Sequence, residues 1–192
     1  MSEDWQQLGI APQVSAWDDP VGPTPSQTVG PFYEIGLAWM GPDAADLVKP
    51  GTPGATTLTG QVLDGAGQPV PDAVVEIWQA DGQGRVGTSE QFSGWGRSLV
   101  DDSGTYRFTT VRPGPLQDGQ APYIAVNLFA RGTLQRLVTR IYMPDHPAND
   151  ADPLLSSLDP DRRSTLVARS RGGALQHDIR LQGDAETVFL VW

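Results

Sequence analysis

A chain of 192 residues has room for one domain, and a formal net charge of −10 repels phosphate backbones and anionic bilayers, so nucleic acid and membranes are not expected partners. Hydrophobic residues make up 39% and charged residues 19%, proportions of a folded protein that exclude wholesale disorder. The absence of cysteine excludes disulfides, thiolate metal ligands, iron–sulfur clusters and cysteine nucleophiles.

The first stretch, Met1 to Gly22, carries Glu3 and Asp4 and has no basic segment followed by an apolar run, so it is not read as a signal peptide. No apolar stretch approaches the roughly 20 residues that would span a bilayer. A soluble, cytoplasmic protein is the expectation. Residues 1 to about 23 read as a polar, irregular arm that needs a partner surface to become ordered. From Thr24 to Thr56 proline and glycine recur, which predicts an extended connection outside the core with one helical turn near Asp43 to Leu47.

From Thr57 onward, strand-length runs alternate with turn signals. The runs are Leu58–Val62, Ala73–Trp78, Tyr106–Val111, Ile124–Ala130, Leu137–Met143, Leu175–Leu181 and Thr187–Val191. Asp64-Gly65, Asp81-Gly82, Ser103-Gly104, Arg131-Gly132 and Gly183-Asp184 punctuate them. In the run around His177, residues His177, Ile179 and Leu181 face one way and Asp178 and Arg180 the other, the period of a half-buried strand. Pro160–Ser170 is the one helical stretch, capped by Asp159 or Asp161 and docked by Leu166 and Val167. The expected fold is all-β: a two-sheet β-sandwich with a long N-terminal arm and one short helix, divided into an arm and irregular segment over 1–55 and the sandwich over 56–192.

Motifs for chemistry are sparse. The two histidines, His146 and His177, sit in no H-x-H, H-E-x-x-H or H-x-x-E pattern, and a structural place is the ordinary reading of both. There is no G-x-S-x-G elbow. The acidic pairs Asp18-Asp19, Asp101-Asp102 and Asp150/Asp152 fall in turn-like stretches and read as solvated turn residues. Asp81-Gly-Gln-Gly-Arg85 lacks the strand-to-helix setting of a phosphate loop and reads as a turn.

Several segments, taken together, resemble the intradiol ring-cleaving dioxygenases. They are Thr24-Pro-Ser-Gln-Thr-Val-Gly-Pro-Phe-Tyr33, Leu58-Thr-Gly-Gln-Val-Leu-Asp-Gly-Ala-Gly-Gln-Pro-Val-Pro-Asp72 and Val75-Glu-Ile-Trp-Gln-Ala-Asp-Gly-Gln-Gly-Arg85. Further on come Gly96-Arg97, Asp101-Asp-Ser-Gly-Thr-Tyr-Arg-Phe108, Arg112-Pro-Gly-Pro115, Asn127-Leu-Phe-Ala-Arg-Gly132, Thr139-Arg-Ile-Tyr142 and Asp178-Ile-Arg-Leu-Gln-Gly-Asp-Ala-Glu-Thr-Val-Phe189. Each is modest alone; their order and spacing, from about residue 24 to the end, are specific.

The resemblance implies an enzyme that opens a catechol ring with O2 at a non-haem Fe(III) held by two tyrosinates and two histidines. In this chain the ligand positions carry Val86, Leu116, Tyr123 and Ala125, of which only Tyr123 offers a ligating atom. That pattern resembles the non-catalytic α-type subunit of the family, which lines a pocket while a β-type partner subunit holds the Fe(III) cofactor. The implied substrate is 3,4-dihydroxybenzoate, and the implied substrate-binding residues are Thr28, Gly30, Pro31, Phe32 and Arg131, with no metal ligand and no catalytic residue in this chain. Arg131 would face the substrate carboxylate and the Gly30-Pro31 backbone would form a wall of little bulk. Two competing readings stand beside it. One is a free-standing β-sandwich binding module without activity; the other is a self-sufficient dioxygenase rebuilt around Tyr123, His146 or His177.

Overall fold

The run Leu58–Val62 forms the spine of the fold. In the computed structural model, which describes residues 24–30, 32–38, 42–116 and 120–191, it belongs to β1 (Ala55–Leu63), whose side chains alternate between the interior and the rim. β1 pairs antiparallel with β4 (Thr105–Val111), setting Leu58 opposite Phe108 and Gly60 opposite Tyr106. Leu58 and Phe108 are both fully buried, each stabilising the fold by about 1.5–3 kcal/mol relative to exposure. Gly60 is dictated by crowding: a Cβ there would lie 1.6 Å from the His177 carbonyl oxygen, to which the Tyr106 hydroxyl donates at 2.6 Å.

The other edge of β1 takes two short parallel partners, β8 (Ala174–Gln176) and β9 (Ile179–Arg180), and β7 (Arg169–Arg171) closes that sheet against β8. The second sheet runs β3-β2-β5-β6, from β2 (Val74–Trp78), β3 (Trp95–Leu99), β5 (Tyr123–Phe129) and β6 (Leu137–Tyr142). The core between the sheets is built from inward residues such as Val62, Val75, Ile77, Phe108, Ile124, Val126, Leu128 and Ile141. On the outer face of β5 and β6 a smaller layer forms, in which Tyr142 packs with Ala121, Leu155 and Leu166. Two sheets around one core make the expected sandwich.

Several details differ from the sequence reading. Thr187–Val191 forms no strand; it hangs on the sheets by bonds from Thr187 N–H to the Arg180 carbonyl, from Arg180 N–H to Thr187 Oγ1, from the Thr139 hydroxyl to the Val188 carbonyl and from Leu190 N–H to the Val138 carbonyl. The expected strand over Leu175–Leu181 breaks at His177-Asp178 into β8 and β9, because Asp178 Oδ1 takes the Gln61 N–H that a ladder carbonyl would otherwise hold. β3 carries Gly96, whose missing side chain admits Leu47, and was hidden by that glycine and by its flanking Ser-Gly turn.

The helix expected over Pro160–Ser170 ends at Ser164 as α3 (Pro160–Ser164), since the following residues turn to form β7. Asp159 caps it, accepting from Arg162 N–H at 2.9 Å, and Leu166 docks as expected. Two helices are additional: α1 (Tyr33–Ala38) and α2 (Pro153–Ser156). The turn near Asp43 is a 3-10 helix, Pro42–Ala45. Leu47 and Val48, in the stretch expected to be connection, are core residues, pulled in by the Leu47 N–H bond to the Thr109 carbonyl. The arm of residues 1–23 lies outside the described residues. Among the described residues no helix is long and apolar enough to cross a membrane.

Candidate functional site

The chain turns from β5 into β6 through Ala130-Arg131-Gly132-Thr133. Ala130 is fully buried and its carbonyl accepts from the Thr133 hydroxyl at 2.7 Å, which fixes the turn. Gly132 has φ 94°, a backbone that a side chain would strain, and its N–H donates to Thr28 Oγ1 at 2.8 Å. That bond brings the Thr24–Gly30 segment onto the turn.

Tyr33, at the start of α1, is the second tie. Its hydroxyl donates to the Phe129 carbonyl at 3.0 Å and approaches the Asp72 carbonyl. Burial, then the nearby carboxylates of Asp72 and Glu34, push the Tyr33 phenol far above its ordinary range, so it stays a donor. Arg131 Nε pairs with Asp72 Oδ2 at 2.8 Å. The guanidinium side chain is 57% exposed, so this pair contributes at most about 1 kcal/mol to stability and mainly orients Arg131.

Of the five expected substrate-binding residues, Thr28 and Arg131 therefore meet at one turn. Phe32 is 75% exposed, immediately before Tyr33. Gly30 accepts from Tyr33 N–H at 3.4 Å and stands in open space. Pro31 lies outside the described residues. Asp72 and Tyr33 were missed as site residues; the signal was present in Pro71-Asp72 directly before a strand and in the aromatic closing the Gly-Pro-Phe-Tyr segment.

At the opposite end of β5 the four implied ligand positions converge. Val86, Leu116, Tyr123 and Ala125 line a single cavity of about 250 Å³. The loops that carry the first two are zipped together by glycines: Gly84 has φ 79° with the Pro115 carbonyl where a Cβ would be, and Gly114 N–H donates to the Asp81 carbonyl at 2.8 Å. Asp81 organises its own turn, accepting from Gln83 N–H at 2.8 Å and Arg85 N–H at 3.0 Å, contacts that hold its carboxyl below the usual range.

The sheet supplies the floor. Trp95 pairs with Trp78, Trp78 with Ala125, and Ala125 with Arg140, so all four project from one face of the second sheet. Tyr123, two residues from Ala125, shares that face. The Arg140 guanidinium lies over its ring at 4.0 Å, and Arg140 Nη1 donates to the Tyr142 hydroxyl at 3.2 Å. A lone phenol among Val, Leu and Ala does not fit a four-ligand Fe(III), and among the described residues no group of three His, Cys, Asp or Glu could hold a metal ion. The ends are well separated: the strand from Ala125 to Phe129 alone spans about 13 Å, and the Arg131 turn lies beyond it.

The remaining candidates have structural places. His146 Nδ1 caps a short 3-10 helix, accepting from Ala148 N–H at 3.3 Å. His177 is buried, its Nε2 without a partner among the described residues, and burial pushes its imidazole down to about 4. Asp101 is a turn residue, accepting from Ser103 and Thr105. Asp152 is not the solvated carboxylate expected: it is 1% exposed and accepts from Ala121, Leu154 and Leu155 N–H and from the Tyr142 hydroxyl, joining the α2 cap to the outer layer. Asp18 and Asp19 lie outside the described residues.

Residues 30–183 match the family described as "Dioxygenase". The chain belongs to that family, in its intradiol ring-cleaving branch. It is 39% identical over 188 residues to the protocatechuate 3,4-dioxygenase alpha chain of Burkholderia cepacia, covering 86% of this chain and 95% of that one. The alpha chain from Pseudomonas putida is 40% identical over 190 residues, with 86% and 94% covered. The beta chain of the Burkholderia cepacia enzyme is 34% identical over 182 residues, with 80% and 77% covered. Among solved structures, the dioxygenase domain of a dioxygenase carbohydrate-binding protein fusion from Streptomyces sp. SirexAA-E superposes with a TM-score of 0.56 at 30% identity, covering 83% of this chain and 96% of that one.

Proposed function

We propose that the chain is the α-type subunit of a protocatechuate 3,4-dioxygenase, the enzyme that opens 3,4-dihydroxybenzoate with O2 to 3-carboxy-cis,cis-muconate. A β-type subunit holds the Fe(III), and this chain supplies a wall of the substrate pocket through Thr28, Gly30, Pro31, Phe32 and Arg131. The same reading divides the chain into an arm and irregular segment over 1–55 and the sandwich over 56–192.

The observation that carries this reading is the separation of functions along β5. The implied ligand positions end in an apolar cavity with one phenol, while the Arg131 turn faces outward at the far end. The ion pair to Asp72 runs through Nε, which leaves the Nη1/Nη2 edge to receive a second carboxylate as a fork. Phe32 at 75%, Ile35 at 66% and Leu134 at 61% exposure place large apolar side chains on the same end, the kind of surface a partner chain covers. Thr28 and Tyr33 hold the N-terminal segment and the turn in register, so substrate recognition costs little ordering entropy. The free-standing module gains no support from these features, because it gives the outward Arg131 and its apolar surround nothing to do.

Purified alone, the chain is expected to carry no stoichiometric iron and to cleave no catechol; co-expressed with a chain of the Tyr/Tyr/His/His type it is expected to give a coloured, active complex. Colour and ring cleavage from the isolated chain would overturn the reading.

A further inference from the structure

The cavity at the Tyr123 end of β5 offers a metal no more than one phenol, yet it is open. Substituting Ala125 for a larger residue would close it; instead the alanine leaves a space of about 250 Å³ between Trp78, Trp95, Tyr123, Val86 and Leu116. An apolar cavity of roughly 150 Å³ is enough to admit a benzene ring. The Trp78 and Trp95 rings pack against each other as a tilted pair, 6.1 Å centroid to centroid at 53°, and together present an indole wall on which a flat ring can stack or stand edge-on.

No lining side chain carries a charge: the hydroxyls of Thr88 and Tyr123 are neutral, and the Gln79 amide is engaged. Gln79 Nε2 donates to the Ala80 and Val111 carbonyls at 3.1 and 2.9 Å, and its Oε1 accepts from the Thr110 hydroxyl at 2.8 Å. The nearby guanidinium of Arg140 is laid on the Tyr123 ring and bonded to Tyr142. A charged ligand would find no counter-charge and lose its hydration. An entrance exists, since Trp78 is 53% and Val86 77% exposed.

We infer that this cavity is a binding site for an uncharged monocyclic aromatic molecule, held by the indoles of Trp78 and Trp95 and independent of any metal. The inference stands on the cavity's own walls and not on the proposed function of the chain.

The test uses the protein as it purifies, with its partner chain where one co-purifies, and fluorobenzene as probe, which neither chelates nor ionises. Ligand-observed 19F NMR is expected to show saturable binding with a Kd on the order of 1 mM, and at least tenfold weaker binding of fluorocyclohexane. Ala125→Phe, which fills the cavity, and Trp78→Ala, which removes a half-exposed wall, are each expected to raise the fluorobenzene Kd at least tenfold; thermal unfolding of Trp78→Ala serves as the check that the fold persists if Ala125→Phe does not fold. Absence of saturable binding, equal binding of fluorocyclohexane, or an unchanged Kd in folded Trp78→Ala would each overturn the inference.

Discussion

Tyr123 and Phe129 are the two ends of one strand, and their surroundings have opposite chemistry. At the Tyr123 end the walls are indole, phenol and aliphatic, the Gln79 amide is bonded to Val111 and Thr110, and the space is concave. At the Phe129 end the turn is exposed, carries the Arg131–Asp72 pair, and is bound to the N-terminal segment by the Thr28 and Tyr33 hydroxyls. One strand thus joins an apolar cavity at one end to a convergent set of polar groups at the other. Stability and chemistry are then separable, because the core behind both ends, Ile124, Val126 and Leu128, is the same.

Substitutions can break that comparison, in falling order of effect. Gly84→Ala is expected to damage the Tyr123 end most, because φ 79° and the Pro115 carbonyl 2.3 Å from the added Cβ leave no relaxed arrangement; a loss of about 3 kcal/mol should appear in chemical unfolding. An unchanged midpoint would mean that the loops carrying Val86 and Leu116 are not locked as described.

His177 belongs to neither end and sets the pH background for both. Its folded-state pKa is depressed from 6.5 to about 4, so between those values the unfolded chain binds a proton that the folded chain refuses. Stability is therefore expected to fall by up to about 3 kcal/mol as pH drops from 7 to 4, and His177→Gln to flatten that slope. A variant with the wild-type slope would assign the acid sensitivity to other groups.

At the Phe129 end, Arg131→Ala in the assembled enzyme is expected to raise KM for 3,4-dihydroxybenzoate by about 2 kcal/mol, roughly thirtyfold, with a smaller change for unsubstituted catechol. Equal effects on the two substrates would remove the carboxylate contact. Asp72→Asn should produce the smallest shift, about 1 kcal/mol in the same KM ratio with kcat retained, because it loosens Arg131 without removing it. Double-mutant analysis of Asp72 with Arg131 would show additive effects if the pair does not cooperate.

Much of this was legible from the residues alone. Alternation within Leu58–Val62, Tyr106–Val111 and Ile124–Ala130 is a period-2 signal that backbone geometry enforces, so these strands appear where expected. The turn that holds Arg131 was legible as Arg131-Gly132 between two strand-length runs. Thr187–Val191 misled because its apolar content serves side-chain packing on the sheet while its backbone bonds go singly to Arg180 and Val138. β3 and α1 were missed because Gly96 and Gly36 lower local propensity, and contacts with Leu47 and with Asp72 through Tyr33 outweigh it.

By itself the sequence determined the sandwich and the family, since each depends on residue type at fixed spacing along the chain. Only the tertiary structure decided that Val86, Leu116, Tyr123 and Ala125 share one cavity, and that Thr28, Tyr33, Asp72 and Arg131 meet at one turn. Both gatherings join residues far apart in the chain through sheet register and loop closure, and no local pattern encodes which strands lie side by side.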